Sequence, residues 1–231
     1  IKDRIALAMI EDAERRGDNE EAIRHYLEIR PGQMFMASIT RAAELIIASR
    51  GIEALGEPLA QLRERWVAQA LPLTLLESEL RVEAEDLAGA QRLLDRALAE
   101  TPAEPGLLYA RSMVSEKRGD IAAMERDLRA MLRLDPDSAL AMNALGYSLA
   151  NLTDRLAEAL ALIQQALALK PDDPAIIDSM GWVQYRLGHI EEALGYLRQA
   201  FEKYPDHEVA AHLGEVLWVS GEREEAREGQ G

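Results

Sequence analysis

The residue pattern repeats every 34 or 35 positions, and that period limits the possible folds more than any other feature of the chain. Prolines recur at Pro102, Pro136, Pro171 and Pro205, spaced 34, 35 and 34. A small or medium residue runs through Ala22, Gly56, Ala90, Met124, Ala159, Ala193 and Ala226 at nearly the same interval. Turn glycines stand at Gly17, Gly51, Gly119, Gly188 and Gly221, with Glu85 and Thr153 in the same register without a glycine. Two more tracks run Ser78, Ser112, Gly146, Gly181, Gly214 and Ala97, Met131, Ala166, Ala200. Several independent tracks with one period mean stacked copies of a single supersecondary unit.

Each unit reads as two helices. In 139–173, Met142, Leu145, Gly146 and Leu149 fall on one helical face, and Ala159, Leu162, Ile163 and Ala166 form the stripe of a second helix. Thr153-Asp154 breaks the first helix and offers an N-cap for the second. Pro171 ends the second, and Pro174 suits the first turn of the next. Gly146 and Ala159 allow the two backbones to approach closely. Residues 174–206 repeat the plan with Gly181, Ala193, Leu197, Ala200 and Pro205.

The run Asn143-Ala144-Leu145-Gly146-Tyr147 with Ala159, Ala166 and Pro171 resembles a tetratricopeptide repeat, as does Met180-Gly181-Trp182 with Ala193, Ala200 and Pro205. Recognisable units are expected at about 71–104, 105–138, 139–173 and 174–206, with a partial one at 207–231. Residues 1–70 read as two degenerate repeats, about 3–36 and 37–70, where Pro31 falls early and Glu44 replaces the small helix residue. The chain opens on Ile1 and its last unit stops inside a second helix, which reads as a piece of a longer protein. The resemblance implies an all-α, right-handed superhelical solenoid of helical hairpins, with first helices on the concave face and no single globular core.

Composition removes several chemistries. With 41 acidic and 26 basic residues the formal net charge is −15, which argues against sequence-independent nucleic-acid binding. The absence of cysteine excludes disulfides, thiolate metal sites and thiol nucleophiles within these residues. The longest charge-free run, Ser138 to Thr153, is 16 residues and too short to span a bilayer. There is no glycine-rich phosphate loop, no Gly-x-Ser-x-Gly elbow and no His-Glu-x-x-His. Glu208, His212 and Glu215 share a helix face, but a solvated helix with an ordinary Glu–His pair is the preferred reading over a metal site. Ser112 and Ser179 read as packing residues, and the acidic pairs Glu20-Glu21, Asp172-Asp173 and Glu224-Glu225 as helix-start charges. No catalytic residue, metal ligand or cofactor is expected, and the chain is read as non-enzymatic.

What remains is a surface. The outward face of the first helices presents Tyr109, then Asn143, Tyr147 and Asn151, then Asp178, Trp182, Tyr185 and Arg186, then Trp218. Aromatic residues make up only 5% of the chain, yet they gather here. Tyr, Trp and Arg anchor protein interfaces, and Asn pairs with extended backbone. Two readings stay open: a peptide- or protein-binding groove centred on 140–186, or aromatic side chains that fill gaps between repeats. For Trp218 the packing reading is preferred.

The stretches 141–147 and 172–182, continued by 212–218, resemble outer-membrane lipoproteins of pseudomonads that act as adaptors for a periplasmic carboxyl-terminal processing protease. That resemblance implies a scaffold holding the protease, with cell-wall hydrolase substrates as further partners, at the periplasmic face of the outer membrane through a lipid anchor outside this sequence. An assembly lipoprotein of pilus, envelope or exopolysaccharide machinery would share the repeat class and stays open as the alternative.

Overall fold

The computed structural model describes residues 2–221, with side chains from residue 8 onward. The chain is all-α: thirteen α-helices and no strand occur among the described residues. They are α1 (Lys2–Arg16), α2 (Asn19–Leu27), α3 (Phe35–Arg50), α4 (Gly56–Arg65), α5 (Ala70–Glu83), α6 (Leu87–Glu100), α7 (Pro105–Lys117), α8 (Ile121–Leu134), α9 (Ala139–Leu152), α10 (Leu156–Leu169), α11 (Pro174–Arg186), α12 (Ile190–Lys203) and α13 (His207–Ser220). Two compact units divide the chain, Ile1–Arg118 and Gly119–Gly231.

In the first unit α1 packs on α2, α2 on α3, α4 on α5 and α5 on α6, and α7 follows against α5 and α6. Phe35, Ile39, Ala43, Ile46, Leu55, Leu59 and Leu73 pack into one core. Removing such side chains from water is the main stabilising term. The irregular sequence leaves its mark: α2 has nine residues, and α4 is entered through a 3-10 turn at Ile52–Leu55. Glu44 does not occupy a packed position. It is exposed and bound by Arg41 at 2.9 Å, and Ala43 is fully buried beside it. The loss of the small residue is therefore a one-position shift of the packed face, since a buried Glu would need a partner.

Two arginines satisfy one buried acid in this unit. Glu77 is 2% exposed. Its Oε2 accepts from Arg63 Nη1 at 2.8 Å and its Oε1 from Arg81 Nε at 2.9 Å. Arg81 Nη1 continues to Asp86 Oδ2 at 2.6 Å, while Asp86 Oδ1 caps α6 by accepting from the Gly89 amide at 2.8 Å. Burial disfavours the charges on Arg81 and Asp86, but these bonds outweigh it: Arg81 is held above, and Asp86 below, its ordinary range.

In the second unit α9 packs on α10 and α11 on α12, with α11 also against α9 and α13. This places α9, α11 and α13 in one layer and α10 and α12 in the other. Gly146 and Gly181 set the hairpin spacing. A Cβ at Gly146 would lie 2.6 Å from Ile163 Cγ1 and 3.0 Å from the Ala159 carbonyl oxygen; one at Gly181 would lie 2.6 Å from Leu197 Cγ. A larger residue at either position forces Ile163 or Leu197 on the partner helix to move.

Helix starts follow the period until it changes. Asp18, Asp86 and Asp120 cap α2, α6 and α8 through the amide three residues on. The expected cap at Asp154 is not made. The 35-residue spacing adds one residue in that loop, so the cap position falls on Arg155, which makes no side-chain cap. Thr153 Oγ1 instead accepts from the Arg155 amide at 3.1 Å. Arg155 joins Arg129 in a four-member ion cluster with Glu125 and Glu158, tying α8 to α10.

Candidate partner-binding face of the second unit

Repeat register stacks chosen side chains on the face of α9, α11 and α13. Asn143, Asp178 and His212 are separated by 35 and 34 residues, so they occupy equivalent positions on the three helices. One turn further on, Tyr147 and Trp182 are equivalent in the same way.

Asp178 and His212 lie at the centre, both buried. His212 Nδ1 is 2.8 Å from Asp178 Oδ2. The imidazole stacks on Trp182 with centroids 4.3 Å apart. Tyr147 OH lies 3.3 Å from His212 Nε2 and donates to Glu208 Oε1 at 2.9 Å, so a tyrosine of α9 reaches across α11 to α13. Burial pushes the Asp178 carboxyl above its ordinary range, and the His212 contact opposes this without reversing it. Asp178 Oδ1, Asn143 Oδ1 and Trp182 Nε1 are enclosed yet have no hydrogen-bond partner. Such groups are uncommon in folded proteins.

Beside this centre is a cleft of about 500 Å³ lined by Trp182, Tyr185, Arg186, Gly188, Ile190 and Glu215. Trp182 and Tyr185 form a tilted pair, centroids 5.3 Å apart. Tyr185 OH donates to Glu215 Oε1 at 3.0 Å. Burial, and then this acceptor, raise the Tyr185 hydroxyl above its ordinary range.

The structure sorts the residues expected on this surface. Asn143, Tyr147, Asp178, Trp182 and Tyr185 come together. Trp182 is only 8% exposed, so most of its ring fills the space between α11 and α13. Tyr185 is half-buried and borders open space. Arg186 acts as a C-terminal cap: its Nη1 donates to the carbonyls of Ala150 and of Asn151, where the α9 dipole favours a cation. The Asn151 side chain is exposed at that helix end, and Trp218 is half exposed on α13. Tyr109 belongs to α7 of the first unit and is half-buried there; burial, and then Glu116, raise its hydroxyl.

His212 was expected on a solvated Glu–His face, and here the structure corrects the sequence reading. The ring is buried under Trp182, and its partner is Asp178 on the preceding first helix. The 34-residue step from Asp178 was the available signal. Ser112 and Ser179 are buried and bond to carbonyls of their own helices, Tyr109 and Ala175. Glu224-Glu225 and Ala226 lie outside the described residues. Among the described residues no group of three or more His, Cys, Asp or Glu could hold a metal ion.

The hairpin geometry and the glycine contacts define a helical-repeat protein. The tetratricopeptide repeat model matches residues 109–174 and 179–229, more than half of the chain, and the chain belongs to that family. It is 43% identical over 203 residues to the TPR repeat-containing protein PA4667 of Pseudomonas aeruginosa, covering 88% of this chain and 34% of that protein. It is 30% identical over 162 residues to bacteriophage adsorption protein A of Escherichia coli, covering 67% of this chain and 16% of the relative. The chain thus spans about a third or less of the length of these relatives. Among solved structures, a tetratricopeptide repeat protein from Parabacteroides merdae superposes with a TM-score of 0.68 at 14% identity, over 98% of this chain and 90% of that one. Pseudomonas aeruginosa pilF gives 0.59 at 19%, over 70% and 74%. Both show the fold alone.

Proposed function

We propose that the chain is a non-catalytic adaptor that holds a periplasmic carboxyl-terminal processing protease, with its cell-wall hydrolase substrates, at the periplasmic face of the outer membrane. Tetratricopeptide repeats mediate protein–protein contacts, and the observation that carries a binding role here is the face of α9, α11 and α13. It combines an aromatic cleft with enclosed polar atoms that the protein leaves unpaired. The protease as partner rests on the resemblance of the stretches 141–147, 172–182 and 212–218 to pseudomonad protease adaptors. A scaffold accelerates its partner by concentrating and orienting it, so it needs no reactive group of its own.

The test is affinity capture from envelope extract with the full-length protein. A carboxyl-terminal processing protease should be enriched, and Tyr185→Ala should weaken its capture severalfold. Enrichment of pilus or exopolysaccharide components instead would replace the protease with an assembly machine. Hydrolase turnover by the pure protein alone would overturn the non-catalytic reading.

A further inference from the structure

Resting on that binding reading, we propose that the face of α9, α11 and α13 selects an extended segment of its partner through a Lys or Arg side chain. Three carboxylates stand on this face: Asp178, Glu208 and Glu215. Among the described residues none is paired with a lysine or arginine of the chain. Elsewhere the protein pairs its acids readily, as at Glu77, Glu125, Glu158, Asp95 and Asp172. Glu208 and Glu215 are instead each held by a tyrosine hydroxyl on one oxygen, Tyr147 and Tyr185 respectively. That leaves Oε2 of each available to an outside donor. Arg186, the guanidinium in the cleft, donates to the carbonyls at the end of α9 and makes no ion pair with these acids.

A second observation is independent of the acidic cluster. Asp178 is 5% exposed, and its Oδ1 has no partner; Trp182, 8% exposed, has none at Nε1. Leaving an enclosed donor unpaired is unfavourable, and Trp182 lines the cleft, so a bound segment that brings a C=O group to Nε1 relieves it. The Trp182–Tyr185 pair suits the same guest. An aliphatic stem lies along Tyr185 and the open edge of Trp182, and the cation meets the Glu215 carboxylate. Burial already raises Asp178, and a cation drawn to this face would favour its ionised form again. The occupant is a basic segment because three carboxylates on the face outnumber the one guanidinium, and the chain's net charge is −15.

The probes are three acetylated, amidated peptides of about ten residues. They differ only at two positions, carrying lysine, norleucine or glutamate, and are titrated calorimetrically into the full chain. The lysine peptide should bind roughly tenfold more tightly than the norleucine peptide, and the advantage should shrink between about 50 and 300 mM salt. Glu215→Gln and Glu208→Gln should each weaken the lysine peptide about threefold and leave the norleucine peptide unchanged, while Glu192→Gln on the outer helix changes neither. Equal binding of the three peptides, preference for glutamate, or no binding of the lysine peptide at millimolar concentration would overturn the proposal. Affinity capture separates this from the scaffold reading. A captured protease lost with Tyr185→Ala but kept by the Glu208→Gln/Glu215→Gln double variant removes the basic-segment proposal and leaves the adaptor. Failure to capture a protease removes the adaptor, while the peptide titration still decides the chemistry of the face.

Discussion

Glu77 in the first unit and Asp178 in the second are both buried carboxylates on the opening helix of a hairpin, and their surroundings treat them in opposite ways. Glu77 has an arginine on each oxygen, and one of those arginines reaches on to the residue that caps the next helix. Asp178 has an imidazole on one oxygen and nothing on the other. Full partnering makes a buried charge part of the framework; partial partnering leaves a need that a ligand can meet. The first unit also has isolated unpaired atoms, His25 Nε2 and Trp66 Nε1, but they lie on no shared repeat register. In the second unit the three atoms lie on α9 and α11, beside an aromatic cleft.

Breaking the partnered site should have the largest effect. Glu77→Gln leaves Arg63 and Arg81 around a neutral amide in a buried position. A loss of about 3 kcal/mol is expected, read from the urea midpoint at unchanged slope. The second unit is instead held by its helix spacing. Gly146→Ala places a methyl 2.6 Å from Ile163 Cγ1 with the Ala159 carbonyl behind it, and about 2 kcal/mol should be lost. If Gly146→Ala were neutral, α9 and α10 would not be in the close contact described.

The difference between the two units also explains what could be read from sequence. In the second unit the period picks out contact residues themselves, Gly146 against Ala159 and Gly181 against Ala193. Short α2 and the one-position shift at Glu44 and Ala43 were not legible, since packing of Phe35 and Ile39 sets them rather than any local signal. At the candidate site, Asn143, Tyr147 and Tyr185 followed from helix facing. Trp182 and Arg186 did not follow in full: one ring is drawn into the gap beside His212, and one guanidinium is drawn to the α9 carbonyls. His212 was misplaced because periodicity within α13 points it at Glu208, whereas its environment comes from Asp178, 34 residues earlier.

Acid should separate a framework cluster from a functional one at the next level of magnitude. Arg155 first, and then Arg129 against the opposing cost of burial, lower the Glu125 carboxyl to about 2. Glu158 is lowered as well, by Arg129 and then Arg155. A depressed folded value contributes stability that is complete above the unfolded value near 4.5 and is lost as pH falls through about 2. Partial exposure screens the cluster, so about 1–2 kcal/mol should disappear over that window, and less in high salt. Chemical denaturation of wild type and Glu125→Gln at several pH values checks it: the two should converge at the acid end. A smaller change comes from the turn at Glu85, which holds φ at 59° where other repeats place glycine. Glu85→Gly should raise stability by about 1 kcal/mol by relieving the left-handed strain, visible as a higher Tm.

The smallest effect is the one that tests the comparison most directly. Asp178→Asn makes the same change as Glu77→Gln, a buried acid to its amide, at the site where the acid is only half partnered. Burial raises the Asp178 carboxyl, so its ionised form opposes folding as pH rises through that raised value, and the fold is favoured below the unfolded value. The amide removes that cost and still offers an oxygen to His212 Nδ1, so stability at neutral pH should move by less than about 1 kcal/mol in either direction. Binding is a different matter, because the amide carries no charge to attract a cation. The expected result is a variant that unfolds like wild type and binds the lysine peptide several-fold more weakly. If Asp178→Asn instead cost as much as Glu77→Gln, the Asp178–His212 pair would be framework like its counterpart in the first unit, and the contrast between the two buried acids would fall.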